Sequence, residues 1–232
     1  LAMKLTPLLS EHSNSISLNE QLFARIKAVY DQRESANLTG EQLQLLQDIY
    51  NGFARGGANL QGEQKEKYRE LSQKLSLLTL QFSENCLKET NDYLKVITDS
   101  TLLSGLPESA ITAAKETAQE KGVEGWAFTL HAPSYVPVMT YADNRDLRKE
   151  IYMAYNTQCT HDNEHNNLDV VKELANTRME VAQLLGYKDY ASYMLEDRMA
   201  QNSEAVYNLL NQLLDAYTPT AKNEYAEVQA LA

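Results

Sequence analysis

Residues 62–91, GEQKEKYRELSQKLSLLTLQFSENCLKETN, decide the fold class of this chain, because neither proline nor a further glycine interrupts them after Gly62. Large apolar side chains recur every three or four residues, the spacing of one face of an α-helix. These positions are Tyr68, Leu71, Leu75, Leu78, Phe82 and Cys86. At about 1.5 Å per residue the stretch makes a rod of roughly 45 Å. A rod of this length indicates a wall or spine in a larger helical protein.

The overall composition is also that of a helical protein. The 232 residues include only 5 prolines and 9 glycines, whereas strong helix formers are abundant. The 32 acidic and 21 basic residues give a net charge of −11, which argues against nucleic acid or an anionic membrane as the main partner. The sequence lacks a transmembrane-length apolar run and a secretory signal at its start. We expect a cytoplasmic protein, or a periplasmic one if a leader has been removed.

Two helices are predicted before the long one, since each is preceded by the signature of a capping box. Ser17 and Glu20 flank the start of LFARIKAVYDQRES, and Thr39 and Gln42 flank the start of EQLQLLQDIYNGFAR. In this motif a hydroxyl caps the first turn while a Glu or Gln side chain reaches back to the cap residue. The sequence therefore predicts that the first helix begins just after Ser17.

The segment near residues 126–131 has the pattern of a strand and not of a helix. Trp126, Phe128 and Leu130 alternate with smaller or polar residues, which predicts a short strand. Pro133 and Pro137 follow and should prevent a longer ladder. Further helices are predicted at about 108–121, 145–158, 167–186, 187–200 and 204–232. The predicted fold is all-α with one small β element near 126–131, as a single helical unit over 1–232 with no internal boundary.

The stretch THDNEHNN, residues 160–167, contains H-x-x-E-H, the inverted form of a zinc-peptidase motif. Catalysis would require His161 and His165 on one helical face, with Glu164 beside a metal-bound water. The Asp and Asn residues around them favour turns instead. We interpret the stretch as a solvated loop between two helices. An adventitious metal site on His161 and His165, or a self-contained peptidase that also uses Glu164, remain the alternatives.

The remaining histidines and the cysteines have simple interpretations. His12 and His131 are isolated in sequence, and we expect His131 to be packed or hydrogen-bonded. Cys86 continues the apolar stripe of the long helix, and Cys159 has no basic neighbour that would activate it. They lie 73 positions apart, without a disulfide framework or a metal-binding pair. Both thiols are predicted to be structural, in a reducing compartment.

Two other clusters could face a substrate. Arg145 and Arg148 lie in the first turn of a predicted helix, where cations need anionic partners, and we expect them to pair with acidic side chains of a neighbouring helix. They could instead face a substrate carboxylate. Tyr187, Tyr190 and Tyr193 could line a peptide groove, but tyrosines at this spacing more often form the edge of a core.

Several blocks of sequence, in their order and spacing, resemble the thimet oligopeptidase family of zinc metallopeptidases, and most closely its bacterial dipeptidyl carboxypeptidases. The resemblance covers essentially residues 16–232. The blocks are ISLNEQLFARIKAVYDQRESANLTGEQLQLL, FARGGANL, LSGLPESAI, GWAFTLHAPSYVPVMTYADNRDLRKEIYMAYNTQ and RMEVAQLLGYKDYASYMLEDRMAQNSEAVYNLLNQLLDAYTPTAKNEYAEV.

The resemblance implies a mainly helical enzyme whose deep channel admits only short, unstructured peptides. In that family the zinc-binding H-E-x-x-H helix and a further glutamate ligand lie in the C-terminal half, beyond the point that resembles Ala232. No catalytic, cofactor-binding or metal-binding residue carries over to this chain, and 160–167 corresponds to a variable interhelical loop. The chain would be a truncated N-terminal portion that forms channel wall.

This portion should be inactive alone, with zinc in the full-length parent and none in this fragment. Its partners would be short unstructured peptides and the missing C-terminal catalytic half. The parent would release C-terminal dipeptides or cleave internally, two specificities that the residues present leave open. The alternative is a non-catalytic helical interaction module.

Overall fold

Helices make up most of residues 1–231, the part of the chain that the computed structural model describes. Short π-helical and 3₁₀ segments occupy Ala54–Ala58 and Ser100–Leu103. The main elements, in chain order, are α1 (Ala2–Ser17), α2 (Glu20–Asp31), α3 (Gly40–Phe53), α4 (Gly62–Asp92), β1 (Lys95–Ile97), α5 (Glu108–Glu120), β2 (Trp126–Phe128), α6 (Ala132–Tyr141), α7 (Arg145–Asn156), α8 (Leu168–Leu184), α9 (Tyr190–Glu196) and α10 (Ser203–Leu231). The predicted all-α class is confirmed, and α4 has 31 residues.

The chain divides into two compact units. The first contains residues 1–3 and 76–174, and the second contains residues 4–75 and the chain from residue 175 onward. Helices α4 and α8 contribute residues to both units. The expectation of a single helical unit over 1–232 stays a prediction. Within residues 1–231 no helix is both long enough and apolar enough to cross a membrane.

The first unit is built around a two-stranded antiparallel sheet. Ile97 of β1 lies opposite Trp126 of β2, and α5 packs against β2. Burying these apolar side chains removes their surface from water, which is the main stabilising term of such a core. The buried cluster comprises Ile97, Leu103, Leu106, Ala114, Phe128, Leu130, Val138, Ala142, Leu147 and Ile151.

Two glycines allow backbone segments of this unit to meet. Gly125 has φ +93°, and a Cβ built there would lie 2.1 Å from the carbonyl oxygen of Ile97. Gly105 has φ +86°, and its Cβ would lie 2.2 Å from the carbonyl oxygen of Tyr141. Both positions therefore exclude a side chain for steric reasons in addition to the cost of a positive φ.

The second unit joins α2 and α3 through stacked aromatic rings. The centroids of Tyr30 and Tyr50 lie 3.8 Å apart, and those of Phe23 and Tyr50 lie 5.7 Å apart. The predicted capping box of Thr39 and Gln42 is present in both of its hydrogen bonds. Helix α3 therefore begins where the capping box predicts.

The prediction for the start of the chain is wrong. Ser17 ends α1 instead of capping α2, and the Asn19 side chain accepts the hydrogen bond from the Leu22 N–H. Helix α1 is absent from the prediction because its sequence has four serines and one asparagine and contains Pro7, residues that disfavour helix interiors. Because Asn is as good an N-cap as Ser, Asn19 was as good a candidate for the cap of α2 as Ser17.

The region after β2 also differs from the prediction. The predicted strand is confirmed over Trp126–Phe128, but its partner β1 was not predicted, and α6 begins at Ala132, well before Asn144. Pro133 lies in the first turn of α6, where its missing N–H costs no hydrogen bond. Pro137 lies inside α6, although proline usually interrupts a helix.

Replacing Gly125 with alanine should destabilise the first unit strongly. The new Cβ meets the β1 backbone, which cannot rotate away as a flexible side chain would. We therefore expect the free energy of unfolding to fall by roughly 3 kcal/mol or more. The matched control is Gly122→Ala, because Gly122 also has a positive φ (+68°) but nothing lies within 4 Å of its Cβ. The free energy of unfolding of that variant should fall by about 1 kcal/mol.

Urea denaturation followed by the fluorescence of Trp126, the single tryptophan of the chain, measures both variants. Equal losses in Gly125→Ala and Gly122→Ala would contradict the close approach between Gly125 and β1.

Candidate functional site

The stretch 160–167 lies in the loop between α7 and α8, as predicted. Its residues form bends and turns, so His161 and His165 do not share a helical face. The expectation that the loop is solvated throughout is wrong, because His165 and Asn167 are buried, at 8% and 4% exposure. The loop packs on the C-terminal part of α4 through polar side chains.

Glu89, in the last turn of α4, is the centre of this contact. Its Oε1 lies 2.6 Å from Nδ1 of His161, and its Oε2 accepts a hydrogen bond from the Asn163 side chain at 3.3 Å. It also accepts a hydrogen bond from the backbone N–H of Cys159. Only 12% of the Glu89 side chain is exposed. One carboxylate thus binds three positions of the loop.

These hydrogen bonds determine the ionisation of Glu89. Burial acts to raise the pKa of its carboxyl, because a charge is less stable away from water. The three hydrogen bonds, led by the one from His161, outweigh burial and hold the pKa below its ordinary value of 4.5. Glu89 is therefore a carboxylate at neutral pH, and the loop is bound to a negative charge.

A second set of contacts holds the end of the loop. Nε2 of His165 lies 3.2 Å from Oδ2 of Asp92, the last residue of α4. Asn85, also on α4, donates to the side-chain oxygen of Asn167 at 2.9 Å. The Asn167 N–H donates to the carbonyl oxygen of Cys159 at 2.8 Å, which closes the loop on itself.

A cavity of about 680 Å³ lies beside the loop. Its lining includes the polar residues Glu89, Asp92, His161, Asn163 and His165 and the apolar residues Leu130, Met153 and Ala154. Because the carboxylates and imidazoles are bound to each other, this arrangement can order the loop but leaves few donor atoms for a ligand.

The loop does not fit a zinc ion. His161 uses Nδ1 with Glu89 and has Nε2 3.2 Å from the hydroxyl of Thr157. Nδ1 of His165 has no hydrogen-bond partner but is buried, and Glu164 is 88% exposed, with its carboxylate 3.9 Å from the His165 ring. Within residues 1–231 no group of three His, Cys, Asp or Glu residues is placed to hold a metal. The hypothesis of an inverted zinc-peptidase motif therefore has no structural support.

The other candidates of the sequence have structural contacts. Nε2 of His131 lies 3.1 Å from the side-chain oxygen of Asn91, so the prediction of a hydrogen-bonded His131 is confirmed. His12 is exposed on α1. The predicted pairing of Arg148 with an acidic side chain is wrong, because its guanidinium donates to the carbonyl oxygens of Ala142 and Asp143. Arg145, its predicted companion, begins α7.

The tyrosines near α9 surround a cation within the second unit. The Arg55 guanidinium donates to the backbone oxygen of Tyr193 at 2.6 Å and forms a salt bridge with Glu196. The hydroxyl of Tyr187 also donates to Glu196, and Tyr190 packs against Tyr193, with ring centroids 5.9 Å apart. This network supports the interpretation of these tyrosines as the edge of a core.

Glu89 is not among the residues predicted from the sequence, although one signal for it is present. Glu89 and Asp92 lie in the last turn of α4, where the helix dipole disfavours negative charge and no basic residue offsets it. Acidic residues in that position need donors from another segment. Two histidines and several asparagines in one polar loop were the available donors in the chain.

Glu89→Gln should lower the free energy of unfolding by about 1–3 kcal/mol at pH 7, the usual effect of losing hydrogen bonds to a charged group. Because the pKa of Glu89 is lower in the folded chain, its contribution is complete above pH 4.5 and is lost as the pH falls through the folded value. The difference between wild type and variant should therefore shrink in acid. Urea denaturation at a series of pH values measures it.

The control for this series is Glu116→Gln, which changes an exposed carboxylate on α5 of the same unit. It should stay within about 0.5 kcal/mol of wild type. A Glu89→Gln effect that is absent, or equal at pH 7 and pH 3, would show that the carboxylate does not hold the loop.

Comparison with known proteins gives matches along almost the whole chain. Residues 138–232 match peptidase family M3. Oligopeptidase A of Escherichia coli (strain K12) is 37% identical over 230 residues, which are 97% of this chain and 34% of that protein. Dipeptidyl carboxypeptidase of the same strain is 31% identical over 224 residues, which are 96% of this chain and 33% of that protein. The Probable cytosolic oligopeptidase A of Arabidopsis thaliana is 30% identical over 221 residues, which are 92% of this chain and 31% of that protein.

The chain thus spans about a third of the length of the curated relatives that it matches. Its identity to oligopeptidase A, at 37%, exceeds its identity to dipeptidyl carboxypeptidase, at 31%. Both kinds of relative are named peptidases, which agrees with the resemblance of the sequence blocks. Residues 138–232 thus match peptidase family M3, and almost the whole chain is similar to two kinds of named peptidase.

Proposed function

We propose that this chain is part of a zinc metallopeptidase that hydrolyses short peptides and releases C-terminal dipeptides. In this proposal the chain forms part of the wall of a substrate channel, and the catalytic motif lies in the rest of the protein. The observation that carries the proposal is the 37% identity to Oligopeptidase A over 97% of the chain.

The residues of the chain support a structural role within such an enzyme. Helix α4 has 31 residues and is about 45 Å long at 1.5 Å per residue. Helices of that length suit a wall that excludes folded proteins. The imidazoles of the loop are bound to Glu89 and Asp92, so a zinc ion would be held by residues outside this chain.

Helix α10 supports the presence of a further packing partner. It has no buried residue within Ser203–Leu231, although large apolar side chains line it. Examples with their exposures are Leu209 58%, Leu210 51%, Leu214 63%, Tyr217 66% and Val228 65%. A patch of this kind usually marks an interface. The occupant we propose is the remainder of the same protein, since the curated relatives are about three times as long as the chain.

We also propose that the protein acts in the cytoplasm, as one relative is named a cytosolic oligopeptidase. Another relative is named an organellar enzyme of chloroplasts and mitochondria. The relatives thus bear names from different compartments, and the cytoplasm is our proposal for this protein.

The whole protein should cleave an internally quenched peptide of about ten residues, lose this activity in a chelator and recover it with zinc. The 232-residue chain alone should show no cleavage, because it lacks a set of zinc ligands among its described residues. Mass spectrometry of the products should find C-terminal dipeptides. Internal fragments instead would make the enzyme an endopeptidase. Failure of the whole protein to cleave any of a peptide library would favour the non-catalytic helical module.

Changing His161 and His165 to alanine together in the whole protein should leave kcat/KM within about twofold of wild type, because these side chains order a loop and do not bind the catalytic metal. The matched control is Glu164→Ala, whose side chain is 88% exposed and should affect neither activity nor stability. The double variant should unfold at a lower urea concentration. A loss of roughly a thousandfold or more in kcat/KM, with zinc lost in parallel, would restore the inverted motif as a catalytic site.

A further inference from the structure

The two cysteines of the chain, 73 positions apart in sequence, meet in the first unit. The sulfur atoms of Cys86 and Cys159 lie 3.8 Å apart, and both thiols are free. Cys86 is on α4, and Cys159 is in the loop that Glu89 holds. Both were predicted to be structural thiols, and nothing in the sequence indicates that they come together.

The hydrogen bonds around the two sulfurs make them unequal. The S–H of Cys159 donates to the sulfur of Cys86, and the Asn167 side-chain amide donates to the same sulfur at 3.5 Å. The sulfur of Cys86 is therefore the acceptor in both hydrogen bonds. Burial, followed by the hydrogen bond to Cys86, raises the pKa of Cys159 to about 12. Cys86 is also the more exposed of the two.

We propose that Cys86 and Cys159 form an intramolecular disulfide when the protein meets hydrogen peroxide. The Cys86 thiolate attacks one peroxide oxygen, so that an S–O bond forms, the O–O bond breaks and hydroxide leaves. The sulfur of Cys159 then attacks the Cys86 sulfenic acid, forming the S–S bond and breaking the S–O bond. The two protons of the thiols end in two molecules of water, and the two thiols supply the two electrons that reduce the peroxide.

The geometry suits this second step. The sulfurs must approach from 3.8 Å to about 2.05 Å, and one of them is in a loop. Cys159 has φ +58°, so its backbone is already in a conformation that non-glycine residues seldom adopt. The loop can shift toward α4 without moving the core cluster, since Cys159 is not part of that cluster.

The disulfide would change the loop beside the cavity. The reduced chain holds the loop to α4 by hydrogen bonds of Glu89, Asp92 and Asn85. The oxidised chain would add a covalent bond that also constrains the unfolded state across a segment of 73 positions. We expect the melting temperature of the oxidised protein to rise by roughly 5–10 °C.

The test is a peptide map of the purified protein after peroxide treatment and alkylation, without reduction. Trypsin should release residues 75–88 joined to residues 150–172, with a mass lower by two hydrogens than the sum of the two peptides. Dithiothreitol should separate them and lower the melting temperature again. Recovery of both peptides as alkylated thiols, or a disulfide only between different molecules, would overturn the proposal.

Two single variants test the order of attack. Cys159→Ser should accumulate a sulfenic acid on Cys86 that dimedone traps, because no second thiol resolves it. Cys86→Ser should give at least tenfold less dimedone adduct on Cys159. Asn167→Ala should slow adduct formation on Cys86 in the Cys159→Ser background. Equal labelling of Cys86 and Cys159 in the two single variants would refute the assignment of Cys86 as the attacking sulfur.

Discussion

A carboxylate in the last turn of a helix needs hydrogen-bond donors, because the helix terminus there is already negative. Glu89 of α4 finds its donors in the loop after α7, in the imidazole of His161, the amide of Asn163 and the backbone N–H of Cys159. The loop consequently follows α4 instead of extending into solvent. The positions of His165, of the cavity wall and of the Cys159 sulfur all depend on this contact.

The same contact explains why the imidazoles of a zinc-like sequence have other partners. A metal needs ligand atoms that are free and directed at one point. In this loop His161 is bound to Glu89, and His165 lies against Asp92. The two imidazoles serve as partners for the two acidic residues that end α4. The motif H-x-x-E-H therefore says little about function, whereas the similarity to named peptidases extends over 97% of the chain.

What could be predicted from the sequence was local. Helix α4 and the Thr39 capping box depend on spacings within a few residues, and both are present as expected. Strand β1 could not be predicted, because three residues form a strand only when β2 lies beside them. The meeting of Cys86 with Cys159 likewise depends on how a loop packs against a helix. The site was therefore less predictable than the fold class, since its contacts join residues about 70 positions apart.

The central claim is that Glu89 is a partly buried carboxylate held in its charged form by the loop. An NMR titration of the Glu89 side-chain carboxyl carbon in the folded chain tests it most directly. The account predicts that Glu89 titrates below its ordinary pKa of 4.5, with shifts in the His161 and Asn163 side-chain signals at the same midpoint. A pKa at or above 4.5, or a Glu89 titration that leaves the loop signals unchanged, would contradict it.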